Sequence, residues 1–469
     1  MIDSLETSVP TDVAALPLAP RNPLPYRQQM MALKTFCTGV ETLRAAGGAV
    51  TRLKMGPKWL LPELVLATSP QAARDILGAT GTSTEVTLFQ DELRHLLGSG
   101  LLVLRHERWL PRRRALQPPF TKQHVRAFGG HMAGVAETIS ATWQDTVVDL
   151  NSQCRRLAMR ALSRSVLGID LDEEAEAADV ALRVALEYVT SRAMRPIRAP
   201  RWLATPARRR ARAARATLHD LADTILQACR ADPTRDAPLV RALIEATDPA
   251  TGRKLSDDEI RGELIIFMYA GVDTTAVTLS YALWALGHHV EIQERVRAEI
   301  ADIGDRGLSS EDLPRLGYTV RVIHEALRLC PPTVAISRMV TRDIEVAGYR
   351  VEAGTTCSVG VQALHRDPAA WDRPLTFDPD RFGPEDSAGR DRWQYLPFGA
   401  GPRSCIGNHF AMLEVALALG TIIRHAEIRS LDDEFAVPEP WSKIAPAPIC
   451  VRVTPTSRPE RSTVRCAES

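Results

Sequence analysis

The chain has 469 residues, 45% hydrophobic and 25% charged, and its 58 Lys and Arg against 57 Asp and Glu leave a net charge of +1. This is the composition of a globular protein, and the balanced charge excludes a global attraction to nucleic acid or to acidic substrates. No Gly/Ser linker, repeat or low-complexity stretch divides the sequence, so one large core is expected despite a length that ordinarily suggests two or three domains. The eight cysteines are scattered without paired spacings, which suits a reducing, cytoplasmic setting.

Residues 1–24 mix acids with Pro10, Pro17 and Pro20, lack the basic start and apolar core of a signal peptide, and read as an irregular segment. Helical periodicity marks 27–46, 70–78, 106–116, 130–166, 175–192, 207–230, 236–246, 257–287, 290–302, 318–330 and 406–424. Strand-like stretches lie at Val50–Met55, Glu63–Thr68, Asp343–Val351 and Thr356–Val361. The expected fold is mainly α with a small β-sheet, a single large domain over 25–453, followed by a polar tail over 454–469 that should fray.

In the helix over 106–116, Trp109 and Arg113 stand at i, i+4, and an arginine fork there suits a carboxylate. Arg112 and Arg114 cannot share the direction of Arg113 and are expected to face an acidic partner. The Pro-rich stretch after Arg192 leads into Arg208, Arg209, Arg210, Arg212 and Arg215. That run reads first as a solvated helix face, and without interleaved aromatics it is no nucleic-acid signal.

Leu264 to Gly287 is 24 residues long with Asp273 as its sole charge, a length that would span a bilayer. A carboxylate near its centre is costly in lipid, so this segment reads as a helix through a protein core, started by the capping box Ser256-Asp257-Asp258-Glu259. Within it, Gly271 costs about 1 kcal/mol relative to alanine and points to close approach or a local kink. The Thr274 hydroxyl can free a carbonyl or hold a water. Glu325 and Arg328 are an i, i+3 pair, by itself no more than a surface salt bridge.

Phe398 to Gly407 read F-G-A-G-P-R-S-C-I-G, a glycine-rich hairpin delivering Cys405 to the start of an apolar helical run. Helix-start N–H groups stabilise a thiolate there. A lone thiolate without a C-x-x-C or nearby His partner cannot build a tetrahedral zinc site, but it suits the axial position of a haem. A free buried cysteine is the plainer reading of that residue in isolation.

The hairpin resembles the haem-binding loop of the cytochrome P-450 superfamily, F-x-x-G-x-R-x-C-x-G, and the likeness extends over roughly 25–453. It implies a haem-thiolate monooxygenase domain with haem b held at Cys405, O2 as co-substrate and NAD(P)H consumed indirectly. Ala270-Gly271-Val272-Asp273-Thr274-Thr275 is similar to the superfamily's A/G-G-x-D/E-T-T/S. This implies a widened turn beside the haem formed by Ala270 and Gly271, with Asp273 and Thr274 as the catalytic proton-organising pair. Trp109, Arg113, Arg338 and Arg403 correspond to positions that meet the haem propionates, and Phe398, Gly399 and Gly407 to the cofactor-binding hairpin. The chain departs from the common D-G-x-x-W pattern by placing Arg105-His106 there, which leaves the role of His106 open.

By the same resemblance Glu325, Arg328 and Arg381 form a structural network, and the substrate pocket is lined by Leu88, Phe89, Leu97, Phe267, Ala270, Val334 and Ile336. Those apolar positions imply a lipid, steroid, terpenoid or similar hydrophobic substrate. The Arg-rich 192–215 stretch corresponds to a lid over the entrance. A separate ferredoxin or flavodoxin-like donor with its reductase is implied, and a monomer with no membrane span and no nucleic-acid partner is expected. A haem-thiolate peroxygenase or isomerase, and a non-catalytic haem ligand-binding protein, are the alternative readings.

Overall fold

A computed structural model describes residues 12–56, 63–143, 145–171, 174–195, 198–247, 252–435 and 448–456. Most of the expected tail, and residues 1–11 of the N-terminal segment, therefore lie outside the described residues.

The helices are Tyr26–Lys34 (α1), Phe36–Gly47 (α2), Pro70–Gly78 (α3), Leu88–Leu97 (α4), His106–Leu116 (α5), Lys122–Ala127 (α6), Gly129–Ser140 (α7), Leu150–Leu162 (α8) and Ala175–Met194 (α9). They continue with Pro206–Ala231 (α10), Pro238–Glu245 (α11), Asp257–His288 (α12), Val290–Ala301 (α13), Gly317–Leu329 (α14), Val361–His365 (α15), Pro384–Ser387 (α16) and Asn408–His425 (α17). The strands are Val50–Leu53 (β1), Leu64–Ala67 (β2), Thr84–Glu85 (β3), Thr146–Asp149 (β4), Ala335–Val340 (β5), Ile344–Val346 (β6), Tyr349–Val351 (β7), Thr356–Gly360 (β8), Ala426–Ser430 (β9) and Cys450–Pro455 (β10).

Three expected elements are corrected. The helix over 27–46 is two helices, because Thr35, at φ −93° and ψ 48°, leaves helical backbone. The helix over 130–166 is interrupted by β4, which pairs antiparallel with β10. The single strand over Asp343–Val351 is a hairpin, β6–β7, turning at Ala347 and Gly348, whose φ values are +48° and +83°. The first residues of the expected polar tail do not fray, since Thr454 and Pro455 pair with β9.

A five-stranded sheet has the order β1-β2-β8-β5-β3, in which β2 and β8 are parallel and the other neighbours antiparallel. The register of β5 on β8 sets Ile336 opposite Val359 and Arg338 opposite Cys357. The N-terminal segment docks on this side of the molecule, with bridges from Leu18 to Arg350 and from Arg21 to Arg52.

The main core surrounds α12, which runs without interruption for 32 residues. Ser256 caps it by accepting the Glu259 N–H while the Glu259 carboxylate accepts the Ser256 N–H at 2.9 Å. Among the described residues it is the one helix long and apolar enough to cross a membrane, but it is mostly buried in protein. Leu264, Ile265, Met268, Leu279 and Leu283 have no accessible surface. Apolar burial of this kind contributes about 25 cal/mol per Å², and it seats α12 against α8 and α17.

Candidate active site

The hairpin before α17 is set by backbone geometry. Gly399 and Gly401 have φ values of +68° and +73°, and a Cβ on Gly401 would lie 2.3 Å from the Leu77 carbonyl oxygen. The hairpin closes when the Cys405 N–H donates to the Phe398 carbonyl at 2.9 Å. Gly407 is the N-cap of α17, so Cys405 stands just ahead of the helix. The residue is accessible to solvent, yet its surroundings are protein, and burial pushes the thiol above its ordinary value. The Gly407 N–H and the Arg113 charge pull in the opposite direction. The net lowering expected from a helix start is therefore not met by the protein alone, and a cation is what would favour the thiolate.

On α12, a helix otherwise buried through its middle, Ala270 is exposed and Gly271, Asp273 and Thr274 are partly so. An accessible patch at the centre of a core helix marks the wall of an internal recess. α12 is tied to α17 by a chain of rings, with Phe267 stacked on Phe120 at 5.3 Å and Phe120 edge-on to Phe410 at 6.4 Å. Thr274 donates to the Ala270 carbonyl at 2.8 Å, and Thr278 donates to the Thr274 carbonyl at 2.8 Å. The implied widened turn does not interrupt α12, which is α-helical throughout. A Cβ on Gly271 would meet Leu162 of α8 at 3.3 Å, so helix–helix packing accounts for this glycine.

Asp273 faces Arg155 of α8 at 2.8 Å, and Arg155 Nε donates to Asp179 of α9 at 2.8 Å. Burial alone would lower Arg155, but the two carboxylates hold it above its ordinary value. Asp179 also pairs with the exposed Arg183 at 3.2 Å. A line of charges thus runs from the recess to the surface. Arg155 and Asp179 carry no motif, and only the tertiary fold brings them to Asp273.

Three arginines from three elements gather near the hairpin. Arg113 donates to the Ser404 carbonyl at 3.0 Å, Arg338 to the Ser337 carbonyl at 2.9 Å, and Arg403 to the Leu104 carbonyl at 2.6 Å. Arg403 also lies over the Trp109 ring at 4.9 Å. The carboxylate among them is Glu85 of β3, 3.6 Å from Arg403. Burial lowers all three guanidiniums, Arg338 to about 10 with Arg403 adding to the effect, and Arg403 Nε is buried without a partner. A surplus of buried positive charge beside a recess accepts anions, which fits the two propionates of a haem. His106 gives its backbone N–H to Glu85 at 3.0 Å and stacks on Trp109 at 5.8 Å. Its place is therefore in the support of this cluster, as is that of Glu85, which no motif announced.

Arg112 is a correction. It is buried, not free for a partner, and donates to the fully buried Glu263 of α12 at 2.6 Å. Glu263 also accepts the Leu101 N–H at 2.8 Å, and burial raises it to about 7 against the pull of Arg112. A charge flanked by apolar residues on α12 was the available signal. Arg114 is exposed.

The implied substrate positions separate into two groups. Leu88 is 41% exposed, Ala270 is exposed, and Phe89 and Ile336 are half-buried. Leu97 and Val334 are 0% and 1% exposed and Phe267 packs on Phe120, so these three are core side chains with little surface for a ligand. Ile336 adjoins the hairpin, 3.3 Å from where a Gly399 Cβ would stand.

Glu325 and Arg328 are both fully buried, not superficial. Glu325 accepts Arg328 Nε at 2.6 Å and Nη2 at 2.8 Å, Arg381 Nε at 3.2 Å and the Asp378 N–H at 2.9 Å. Arg328 in turn donates to the carbonyls of His365, at 2.9 Å, and Pro374, at 2.7 Å. His365 Nε2 accepts the Leu396 N–H at 2.8 Å, so the network reaches the base of the cysteine hairpin.

A lone accessible cysteine below a core helix, with anion-accepting arginines alongside, defines a haem-thiolate protein. The family profile for Cytochrome P450 matches residues 19–446, and the chain belongs to that family. It is an oxygen-inserting oxidoreductase. Similar proteins include cyclooctat-9-en-7-ol 5-monooxygenase of Streptomyces melanosporofaciens, 33% identical over 82% of this chain and 83% of that protein. Pentalenene oxygenase of Streptomyces avermitilis is 31% identical over 81% of this chain and 84% of the relative. The crystal structure of a cytochrome P450DA mutant heme domain, 25% identical, superposes with a TM-score of 0.81 over 94% of this chain and 98% of that one.

Proposed function

We propose that this protein inserts one atom of O2 into a terpenoid or similarly apolar small molecule, working as a cytoplasmic monomer. Electrons come from NAD(P)H through a separate ferredoxin or flavodoxin-like donor and its reductase. The observation that carries the reading is the accessible Cys405 on the hairpin before α17, combined with the accessible centre of α12. Two bacterial relatives whose names denote oxygenation of cyclooctat-9-en-7-ol and pentalenene support the substrate class.

Cys405 is the metal ligand, and Arg113, Arg338 and Arg403 hold the propionates with Trp109 packed against Arg403. Haem, when bound, supplies the activation of dioxygen, which a thiolate ligand favours. The chain supplies the rest. Ala270, Phe89 and Ile336 give the recess an apolar lining that orients substrate and excludes water. Thr274 can turn its hydroxyl from the Ala270 carbonyl to hold a proton donor, and Asp273, fixed by Arg155 at 2.8 Å, stands one residue before it. Glu325, Arg328 and Arg381 hold the hairpin's base in place.

A spin-state screen of the haem-loaded protein against a terpenoid and lipid library, followed by turnover with a surrogate ferredoxin system and product analysis, tests this. A hydroxylated terpenoid formed with matching consumption of NADPH is expected. Terpenoid binding without any oxygenated product would overturn it.

A further inference from the structure

Glu263 stands about two turns before Ala270 on α12 and has no accessible surface. Its two oxygens hold different pieces of the chain. Oε1 accepts Arg112 Nη1 of α5 at 2.6 Å, and Oε2 accepts the Leu101 N–H at 2.8 Å. Leu101 belongs to the turn over 98–104, G-S-G-L-L-V-L, which has no charged side chain of its own. That turn runs in backbone contact across α12. A Cβ on Gly262 would lie 2.6 Å from the Ser99 carbonyl oxygen, and one on Gly100 would lie 2.8 Å from Ile266 Cγ1. The turn also closes on itself, because the Val103 and Leu104 N–H groups donate to the Gly100 carbonyl at 2.9 and 3.2 Å. The Leu104 carbonyl then accepts Arg403 at 2.6 Å, while Arg113, next to Arg112 on α5, donates to the Ser404 carbonyl at 3.0 Å. Two routes from one carboxylate on α12 thus arrive at adjacent residues of the hairpin, immediately before Cys405.

Burying a carboxyl group with a guanidinium is costly, and apolar side chains of the same volume often serve stability as well or better. Stability alone therefore does not account for Glu263. What apolar contacts cannot supply is direction, because hydrogen bonds fix the spacing and angle of the elements they join. We propose that Glu263 is a positioning residue for the haem site. As the shared anchor of the 98–104 turn and α5, it fixes the separation of α12 from the Cys405 hairpin and keeps Arg113 and Arg403 at the edge of the space between them. Both of its oxygens are taken up within the protein, so it acts through those arginines. Glu259 is no substitute: it lies 3.7 Å from Arg112 and is already held by Arg108 and Arg253 at 2.9 and 2.8 Å. This role rests on the haem site proposed above, which the reduced carbon monoxide spectrum of the parent checks separately.

The test measures haem transfer from the loaded full chain to apomyoglobin, together with the reduction potential, and involves no turnover. Glu263→Ala should release haem on the order of tenfold faster than the parent, the scale of effect when a group that orients a cofactor's direct contacts is lost. Its potential should fall, because arginines that drift from the propionates no longer disfavour the ferric state. Gly262→Ala should change both readouts in the same direction, since its Cβ would displace the Ser99 carbonyl and the turn with it. Glu263→Gln keeps an acceptor for the Leu101 N–H and should lie between parent and Glu263→Ala. Leu226→Ala, a buried truncation on α10, supplies the comparison: it should melt lower but keep the parent's release rate and potential. Parental release and potential in Glu263→Ala and Gly262→Ala would overturn the proposal. So would equal changes in Leu226→Ala, which would mark Glu263 as a stabilising residue only. If Glu263→Ala does not fold, Gly262→Ala and Glu263→Gln decide the matter, and parental values in both would overturn it.

Discussion

Replacing Glu325 with Gln keeps the shape of the side chain but removes the negative charge that four donors converge on. Arg328, with no exposed side-chain surface, would then face only neutral acceptors. Breaking one partner of a buried ion pair costs about 3–5 kcal/mol. Unfolding entropy near 2.1 cal/mol/K per residue comes to about 1 kcal/mol/K for 469 residues, so that cost lowers Tm by about 3–5 °C. The damage should reach the hairpin, because Arg328 holds the His365 carbonyl and His365 holds the Leu396 N–H. Calorimetry of the purified variant, with haem content and the reduced carbon monoxide spectrum, measures both effects. Glu325→Leu/Arg328→Met removes the charges together but strands the carbonyls of His365 and Pro374, so it should remain less stable than the parent. A Glu325→Gln protein with the parent's Tm and haem content would refute the reasoning.

Cys405→His should retain some haem while losing the thiolate-type spectrum of the reduced carbon monoxide complex; an unchanged spectrum would mean another residue is the ligand. Thr274→Ala should bind substrate almost normally but yield less product per NADPH consumed, and an unaltered ratio removes Thr274 from proton delivery. Burial, followed by Arg328 and Arg366, depresses His365 to about 3. The stability it contributes is present above its ordinary value of 6.5 and is lost as pH falls from there toward 3; His365→Gln should flatten that part of a pH–Tm profile. Glu263 acts with the opposite sign. Raised from 4.5 to about 7, it makes the parent less stable as pH rises through that window, a slope that Glu263→Gln should remove.

What could be read from the sequence was what local spacing encodes. The hairpin glycines, Cys405 and the Asp273-Thr274 pair lie within short stretches whose chemistry depends on their immediate neighbours. Partners supplied by distant chain were not legible. β4 is four residues that become a strand only by pairing with β10, where Asp149 meets Cys450. Asp149 further accepts the Ile449 N–H at 3.0 Å while capping α8. Arg112 shows the same limit. Its offset from Arg113 revealed that it must point elsewhere, but not that Glu263 waited there. Arg155, which secures Asp273, was equally silent, because an arginine in a polar helical stretch looks like any solvated charge.

The antiparallel register of β5 on β8 has a consequence for how the chain tolerates change in length. Successive side chains of a strand point to opposite faces, and Arg338 is one of the three arginines beside the hairpin. A single-residue insertion or deletion between Cys330 and Arg338 that shifted β5 by one place would turn Arg338 through the sheet and bring Ser337 or Met339 to its face. Loop grafts into this family member should therefore avoid that short connection, whereas the β6–β7 hairpin beyond it can lengthen without disturbing the alternation.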